Sequence, residues 1–75
     1  MSTPTEAIRE ELMANNAEYR RLSEEHTLYA SQLSSLAAKN FLTEEEKLEE
    51  VRLKKLKLRA KDKMELLVRR AQTVQ

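Results

Sequence analysis

An unbroken heptad repeat in the first half of the chain is its most constraining feature. Apolar residues, with one Asn and one His among them, recur at alternating steps of four and three residues. The repeat consists of Ile8, Leu12, Asn15, Tyr19, Leu22, His26, Tyr29, Leu33 and Leu36. A period of 3.5 residues that persists this long keeps one seam of a helix facing a neighbouring helix. The repeat therefore predicts a long helix that packs along one side.

Composition favours an all-α fold built as a single domain over residues 1–75. The chain has no Gly, one Pro and 36% charged residues. A β-rich domain would need glycine in its turns, whereas abundant Ala, Leu, Glu, Lys and Arg is typical of long helices. There is no Cys and only one His, so neither a disulfide, a metal site nor another cofactor is expected.

The first helix is predicted over about residues 4–38. Its start has the residue types of an N-cap, a first helical position and a capping-box partner, in Thr3, Pro4 and Glu6. Asn15 and Glu18 could cap a second start, which would divide this range near residue 16. The heptad phase continues across that point, so a continuous or merely kinked helix is favoured.

A short joint is predicted over about residues 39–43. Asn40 can adopt the left-handed conformation that ends helices, and Thr43 with Glu46 forms a capping box for the next helix. The second helix is expected over about residues 44–72. Because the connection is short, the two helices should run antiparallel as a coiled-coil hairpin.

The second helix carries an apolar stripe that matches the first. Its members fall within an arc of about 80° on a helical wheel: Leu53, Leu56, Ala60, Met64, Leu67, Ala71 and Val74. Antiparallel pairing places Leu22 opposite Ala60 and Ile8 opposite Val74. The predicted seam comprises Leu12, Tyr19, Leu22, His26, Tyr29, Leu53, Leu56, Ala60, Met64 and Leu67.

A second apolar patch lies on the other side of this helix, where one hairpin cannot cover it. We expect it to mediate self-association, most simply as a dimer of hairpins that forms a four-helix bundle. The candidate interface residues are Leu48, Val51, Leu58, Asp62 and Leu66. Asp62 either pairs within its helix, with Arg59, Lys55 or Arg69, or forms a salt bridge between subunits.

Basic residues are concentrated in the second helix, where residues 52–70 hold nine bases and two acids. One flank should pair with acids of the first helix, Glu25 with Arg59, Glu18 with Lys63 and Glu11 with Arg70. The other flank, formed by Lys54, Lys57 and Lys61, has no such acidic partner. It is a solvated or inter-subunit face, a polyanion-contact site or a membrane-surface contact.

Two motifs resemble the YdcH-like family of small bacterial proteins of unknown function. The first is the seam series Tyr19, Leu22, His26, Tyr29 and Leu33, and the second is the block LKKLKLRAKDKM, Leu53 to Met64. Ala60 stands where the family usually has Leu, and Ala17 where a Pro often precedes the aromatic residue. The resemblance implies an α-helical hairpin in a bacterial cytoplasm, with no assigned activity.

An interaction protein is therefore expected rather than an enzyme, since the sequence has no Cys nucleophile, no Ser-His-Asp set, no Gly-rich phosphate loop and no metal-spaced cluster. The partners expected are a second copy and an unidentified protein. Nucleic acid, bound through Lys54, Lys57 and Lys61, is the alternative. His26 is expected in the seam, with a pH-sensing or ligand-contact role as the alternative. No signal peptide or membrane span is apparent, which favours the cytoplasm.

Overall fold

The computed structural model describes residues 4–73 and confirms the all-α class. Three helices follow one another along this range: α1 (Pro4–Asn15), α2 (Ala17–Ala37) and α3 (Glu44–Thr73). Two residues with predicted roles, Thr3 as an N-cap and Val74 as the partner of Ile8, lie outside the described residues.

Asn16 divides the range in which one helix was expected. Its backbone is extended, with φ −115° and ψ 109°, and its side-chain oxygen accepts a hydrogen bond from the backbone N–H of Tyr19 at 2.9 Å. Asparagine competes for backbone N–H groups in this way, which is why it caps helices and interrupts them. The single helix over 4–38 is thus corrected to two helices, and the cap is Asn16 rather than Asn15.

The break changes where α1 packs. Ile8 joins Tyr19 and Val68 in one buried cluster. In the register predicted for a continuous helix, Ile8 would lie opposite residue 74, which is about 9 Å farther along α3 at 1.5 Å per residue. The side chain of Gln72 also donates a hydrogen bond to the Thr5 hydroxyl at 3.4 Å. The first helix therefore packs nearer the middle of α3 than a continuous helix would.

The joint between α2 and α3 begins with a tightened turn. The backbone N–H of Lys39 donates to the carbonyl of Leu36 at 3.1 Å, a bond of the 3₁₀ type. No described residue has a positive φ, so the prediction of a left-handed conformation at Asn40 is wrong. The turn instead ends the helix in a right-handed conformation, with Ala38 at φ −75° and ψ −13°.

The predicted capping box at the start of α3 is confirmed. The Glu46 carboxylate accepts a hydrogen bond from the Thr43 backbone N–H at 3.0 Å, and the Thr43 hydroxyl accepts one from the Glu46 N–H at 3.1 Å. Lys39, in the joint after α2, forms an ion pair with the same carboxylate. The Lys39–Glu46 pair thus links the joint to the first turn of α3, and the Thr5–Gln72 hydrogen bond links α1 to the last turn of α3.

The described chain is thin and elongated. Its radius of gyration is 15.3 Å and its extents are 49 × 22 × 18 Å, whereas a globular chain of this length would have a radius of about 11 Å. Few side chains are buried in residues 4–73, namely Ile8, Tyr19, Leu22, Leu53, Ala60 and Val68. The fold thus leaves much of its apolar surface exposed.

We predict that Asn16→Ala will destabilise the protein by about 1 kcal/mol, because it removes the side-chain acceptor of an N-cap. Asn15→Ala is the matched control and should be neutral or slightly stabilising, since alanine is the better helix former. The measurement is urea unfolding followed by circular dichroism at one protein concentration. A larger loss for Asn15→Ala would contradict the assignment of the cap.

We also predict that the joint weakens in acid. The hydrogen bond from Lys39, and then that from the Thr43 N–H, lower the pKa of Glu46 below its ordinary value of 4.5. A carboxyl group whose pKa is lowered by folding stabilises the fold above its ordinary pKa, and this contribution disappears as the pH falls through the lowered value. Melting temperatures between about pH 6 and about pH 3 should therefore fall less for Glu46→Gln than for the wild type.

Glu45→Gln is the control for that experiment, because it removes one carboxylate from the same helical turn without touching the capping box. It should follow the wild-type profile. Identical acid profiles for Glu46→Gln and wild type would show that the Glu46 carboxylate does not couple to folding.

Candidate interaction surfaces on the third helix

The predicted seam residues lie between the helices, where each is buried or half-buried. Tyr19, Leu22, Leu53 and Ala60 are buried, and Leu53 is the most deeply buried at 2% exposure. The half-buried members are Leu12, His26, Tyr29, Leu56, Met64 and Leu67. This side of α3 is therefore occupied by α1 and α2, and any interaction surface must lie elsewhere on the helix.

Val68 is a core residue that the sequence analysis missed. It is 6% exposed and packs in the cluster with Ile8 and Tyr19. On a helical wheel it lies beside the Met64 edge of the stripe, about 60° from Leu53. It is buried because α1 bends at Asn16 and covers that edge. The sequence indicated a buried position for Ile8, the first member of the heptad repeat, but no sequence pattern indicated one for Val68.

The outer face of α3, which we define as the surface bearing Leu48, Val51, Lys55, Leu58, Asp62 and Leu66, is uncovered. Its four large apolar side chains are 72%, 50%, 59% and 46% exposed, in the order Leu48, Val51, Leu58 and Leu66. A shallow hollow of about 390 Å³ lies in this face, lined in part by Lys55, Leu58, Asp62 and Leu66. Contiguous exposed apolar side chains of this kind mark interaction sites.

The two charged residues of the outer face have no ion-pair partner within residues 4–73. Asp62 does not pair with Arg59, Lys55 or Arg69, although each lies three or seven positions away on the same helix. The intra-helix alternative for Asp62 is therefore not formed. Lys55 is likewise free of an acidic partner in the described chain.

A second surface, which we call the lysine groove, runs between α2 and α3 beside the seam. Lys54, Lys57 and Lys61 line it from α3, and small residues that include Ala30 and Ala37 line it from α2. The groove is open and has a volume of about 990 Å³. Three amines thus share one concave surface.

Acidic residues also reach this groove. Glu50 and Glu65 contribute to its lining, and the Lys54 ammonium lies 3.7 Å from the Glu50 carboxylate. Lys54 thus pairs with an acid of its own helix, which the sequence analysis did not anticipate. Lys57 and Lys61 have no acidic partner among residues 4–73.

The opposite basic flank does not pair with the acids of α1 and α2. None of the expected pairs, Glu25 with Arg59, Glu18 with Lys63 and Glu11 with Arg70, is formed within the described chain. These acids and bases are long side chains on an elongated surface, where holding a pair across helices costs side-chain entropy and gains little. Glu25 instead accepts a hydrogen bond from Arg21, one helical turn away, at 3.2 Å.

The strongest local pair is that of Arg52 with Glu49. Two guanidinium nitrogens donate to the carboxylate, at 2.6 Å and 3.1 Å. These hydrogen bonds lower the pKa of Glu49 and raise the pKa of Arg52. Both groups are exposed, so the pair orients the two side chains but adds little to the stability of the fold.

Other kinds of site have little support in residues 4–73. No three His, Cys, Asp or Glu side chains there are grouped so that they could hold a metal ion. His26 is half-buried and its ring lines the lysine groove. None of the helices in the same range combines the length and apolar character needed to cross a membrane.

Comparisons of this chain with protein-family models, with curated proteins and with solved structures find no match. The proposals that follow rest on the surfaces described above.

Proposed function

We propose that this protein is a self-associating helical module. In this proposal α2 and α3 form an antiparallel hairpin, α1 folds onto it, and the outer face of α3 binds a second copy to make a helical bundle. One observation carries the proposal: four large apolar side chains on one face of α3 are 46% to 72% exposed. The opposite side of the same helix already packs against the rest of the chain.

The small core supports self-association on energetic grounds. A chain of about this length buries only about 60% of the surface that its unfolded form exposes, and small domains usually gain stability from disulfides, metals or oligomerisation. Disulfides are excluded because the chain has no Cys. Burying a leucine-sized side chain contributes about 1.5–3 kcal/mol of stability. A two-fold dimer would bury the outer-face side chains of both copies.

We predict that Leu58→Glu will weaken self-association, because it places a carboxylate in the middle of the outer face, where partner contact would remove it from water. The oligomeric mass of wild type and variant, measured by analytical ultracentrifugation over a range of concentrations, should differ. We expect the dissociation constant to rise at least about tenfold.

Leu28→Glu is the matched control. Leu28 is 54% exposed, close to the 59% of Leu58, but it lies on α2. The control should keep the wild-type mass and the wild-type melting temperature. An unchanged mass and melting temperature for Leu58→Glu would show that the outer face is not an interface.

A second candidate function is contact with a polyanion such as nucleic acid. The observation that favours it is the convergence of Lys54, Lys57 and Lys61 on one groove. Lysine ammonium groups bind phosphates as point charges, and such binding releases counterions. Against it, Glu50 and Glu65 line the same groove and Lys54 is paired. No aromatic residue lies between the three lysines for bases to stack on.

We predict that any polyanion binding will fall steeply with salt and will be weakened by changing the three lysines of the groove to Gln. Fluorescence anisotropy with a labelled single-stranded oligonucleotide measures both effects. The matched control changes Arg59, Lys63 and Arg70 to Gln, which removes the same charge from the opposite flank. Binding that ignores salt, or equal losses in the two variants, would argue against the groove.

Several expectations from the sequence stay predictions. They are the resemblance to the YdcH-like family, the absence of enzymatic activity, the cytoplasmic location and the unidentified protein partner. The first implies a helical hairpin and supplies no activity of its own. The self-associating module is consistent with all four.

A further inference from the structure

We infer that two copies meet antiparallel along their outer faces, with Lys55 of each copy paired to the partner's Asp62. This inference rests on the proposed self-association and adds its geometry. It starts from two opposite charges that face solvent in the middle of an apolar surface and have no ion-pair partner within residues 4–73.

The spacing of the outer face has a two-fold character. Lys55 and Asp62 lie at equal distances, about 5 Å along the helix axis, from the midpoint between Leu58 and Arg59. Val51 and Leu66 lie at equal distances of about 11 Å from the same midpoint. A two-fold axis through this midpoint, perpendicular to α3, therefore places each Lys55 beside the partner's Asp62 and each Val51 beside the partner's Leu66.

The same residues share one side of the helix. At 100° per residue, Val51, Lys55, Leu58, Asp62 and Leu66 fall within an arc of about 80°. The hollow in the outer face is lined in part by Lys55, Leu58, Asp62 and Leu66. In the two-fold arrangement each Leu58 lies next to the axis, where it contacts the partner's Leu58 and fills the centre of the contact.

Charge decides between the two directions in which the helices could pair. A parallel, in-register pair would place Lys55 against the partner's Lys55 and Asp62 against the partner's Asp62, so that two like-charge contacts form in a partly dehydrated surface. The antiparallel pair replaces them with two opposite-charge contacts. Charged residues at such positions specify register and orientation more than they add stability.

The two-fold axis also places Arg59 near the partner's Arg59. It lies at the edge of the outer face, next to Leu58, and is exposed. A long arginine side chain can lay its methylene groups along the apolar surface and keep its guanidinium in water. The like charges therefore separate into solvent on the rim, whereas Lys55 and Asp62 remain central.

A charge-reversal cycle tests the pairing. Lys55→Glu and Asp62→Lys should each raise the dimer dissociation constant about tenfold, because each creates like-charge contacts across the interface. The double variant K55E/D62K restores opposite charges and should return the constant to near the wild-type value. Both side chains are exposed, and circular dichroism of the single variants checks that the helices remain folded. Additive losses in the double variant would overturn the pairing.

Disulfide trapping tests the direction independently, since the chain has no cysteine of its own. Chains with Val51→Cys are mixed with chains with Leu66→Cys and oxidised. The antiparallel register should give the mixed disulfide as the main product, whereas a parallel dimer would join like chains. A wild-type chain that remains monomeric would overturn the proposed function together with this inference. A stable dimer that yields only like-chain disulfides would overturn the register alone.

Discussion

The packing of α3 along a single seam governs the rest of this structure. Leu53, at 2% exposure, and Ala60, at 3%, lie where the seam is closed most tightly, and Leu22 is buried with them. A helix covers only one side of its neighbour, so closing this seam leaves the far side of α3 in water. That far side carries Leu48, Val51, Leu58 and Leu66, which stay exposed, and the self-association that we propose would bury them.

The bend at Asn16 determines how far the core extends. The side-chain oxygen of Asn16 accepts a hydrogen bond from the backbone N–H of Tyr19. Beyond this break, α1 packs against Val68 through Ile8. This gives the open end of the structure a cluster of its own, with Ile8, Tyr19 and Val68 at its centre. The other end is closed by the capping box of Thr43 and Glu46 and by Lys39. Polar contacts thus close the joint between α2 and α3, whereas an apolar cluster fills the opposite end.

Most of the ion pairs within residues 4–73 join two residues of the same helix. Glu49 with Arg52, Glu50 with Lys54 and Glu25 with Arg21 are pairs of three or four residues' separation. Such pairs form with little loss of side-chain freedom, since the helix already holds the two residues near each other. Lys55 and Asp62, like several other charged residues, have no ion-pair partner in residues 4–73, but they differ from those residues because they lie on the apolar outer face. This contrast distinguishes the outer face from the solvated flanks and underlies the antiparallel dimer that we infer.

Sequence patterns correctly predict the all-α class, the buried stripe of α3, the capping box at its start and the exposed apolar face. These are local properties, because helical periodicity and capping depend on residues within a few positions of one another. Three features emerge only in the folded chain: Asn16 rather than Asn15 caps α2, Val68 is buried, and Glu25 pairs with Arg21 while Lys54 pairs with Glu50. Each of these depends on small free-energy differences between competing hydrogen bonds or ion pairs, and on where α1 comes to rest. The heptad phase was compatible with both a straight and a broken helix, so the packing of α1 on α3 could be read only from the folded chain.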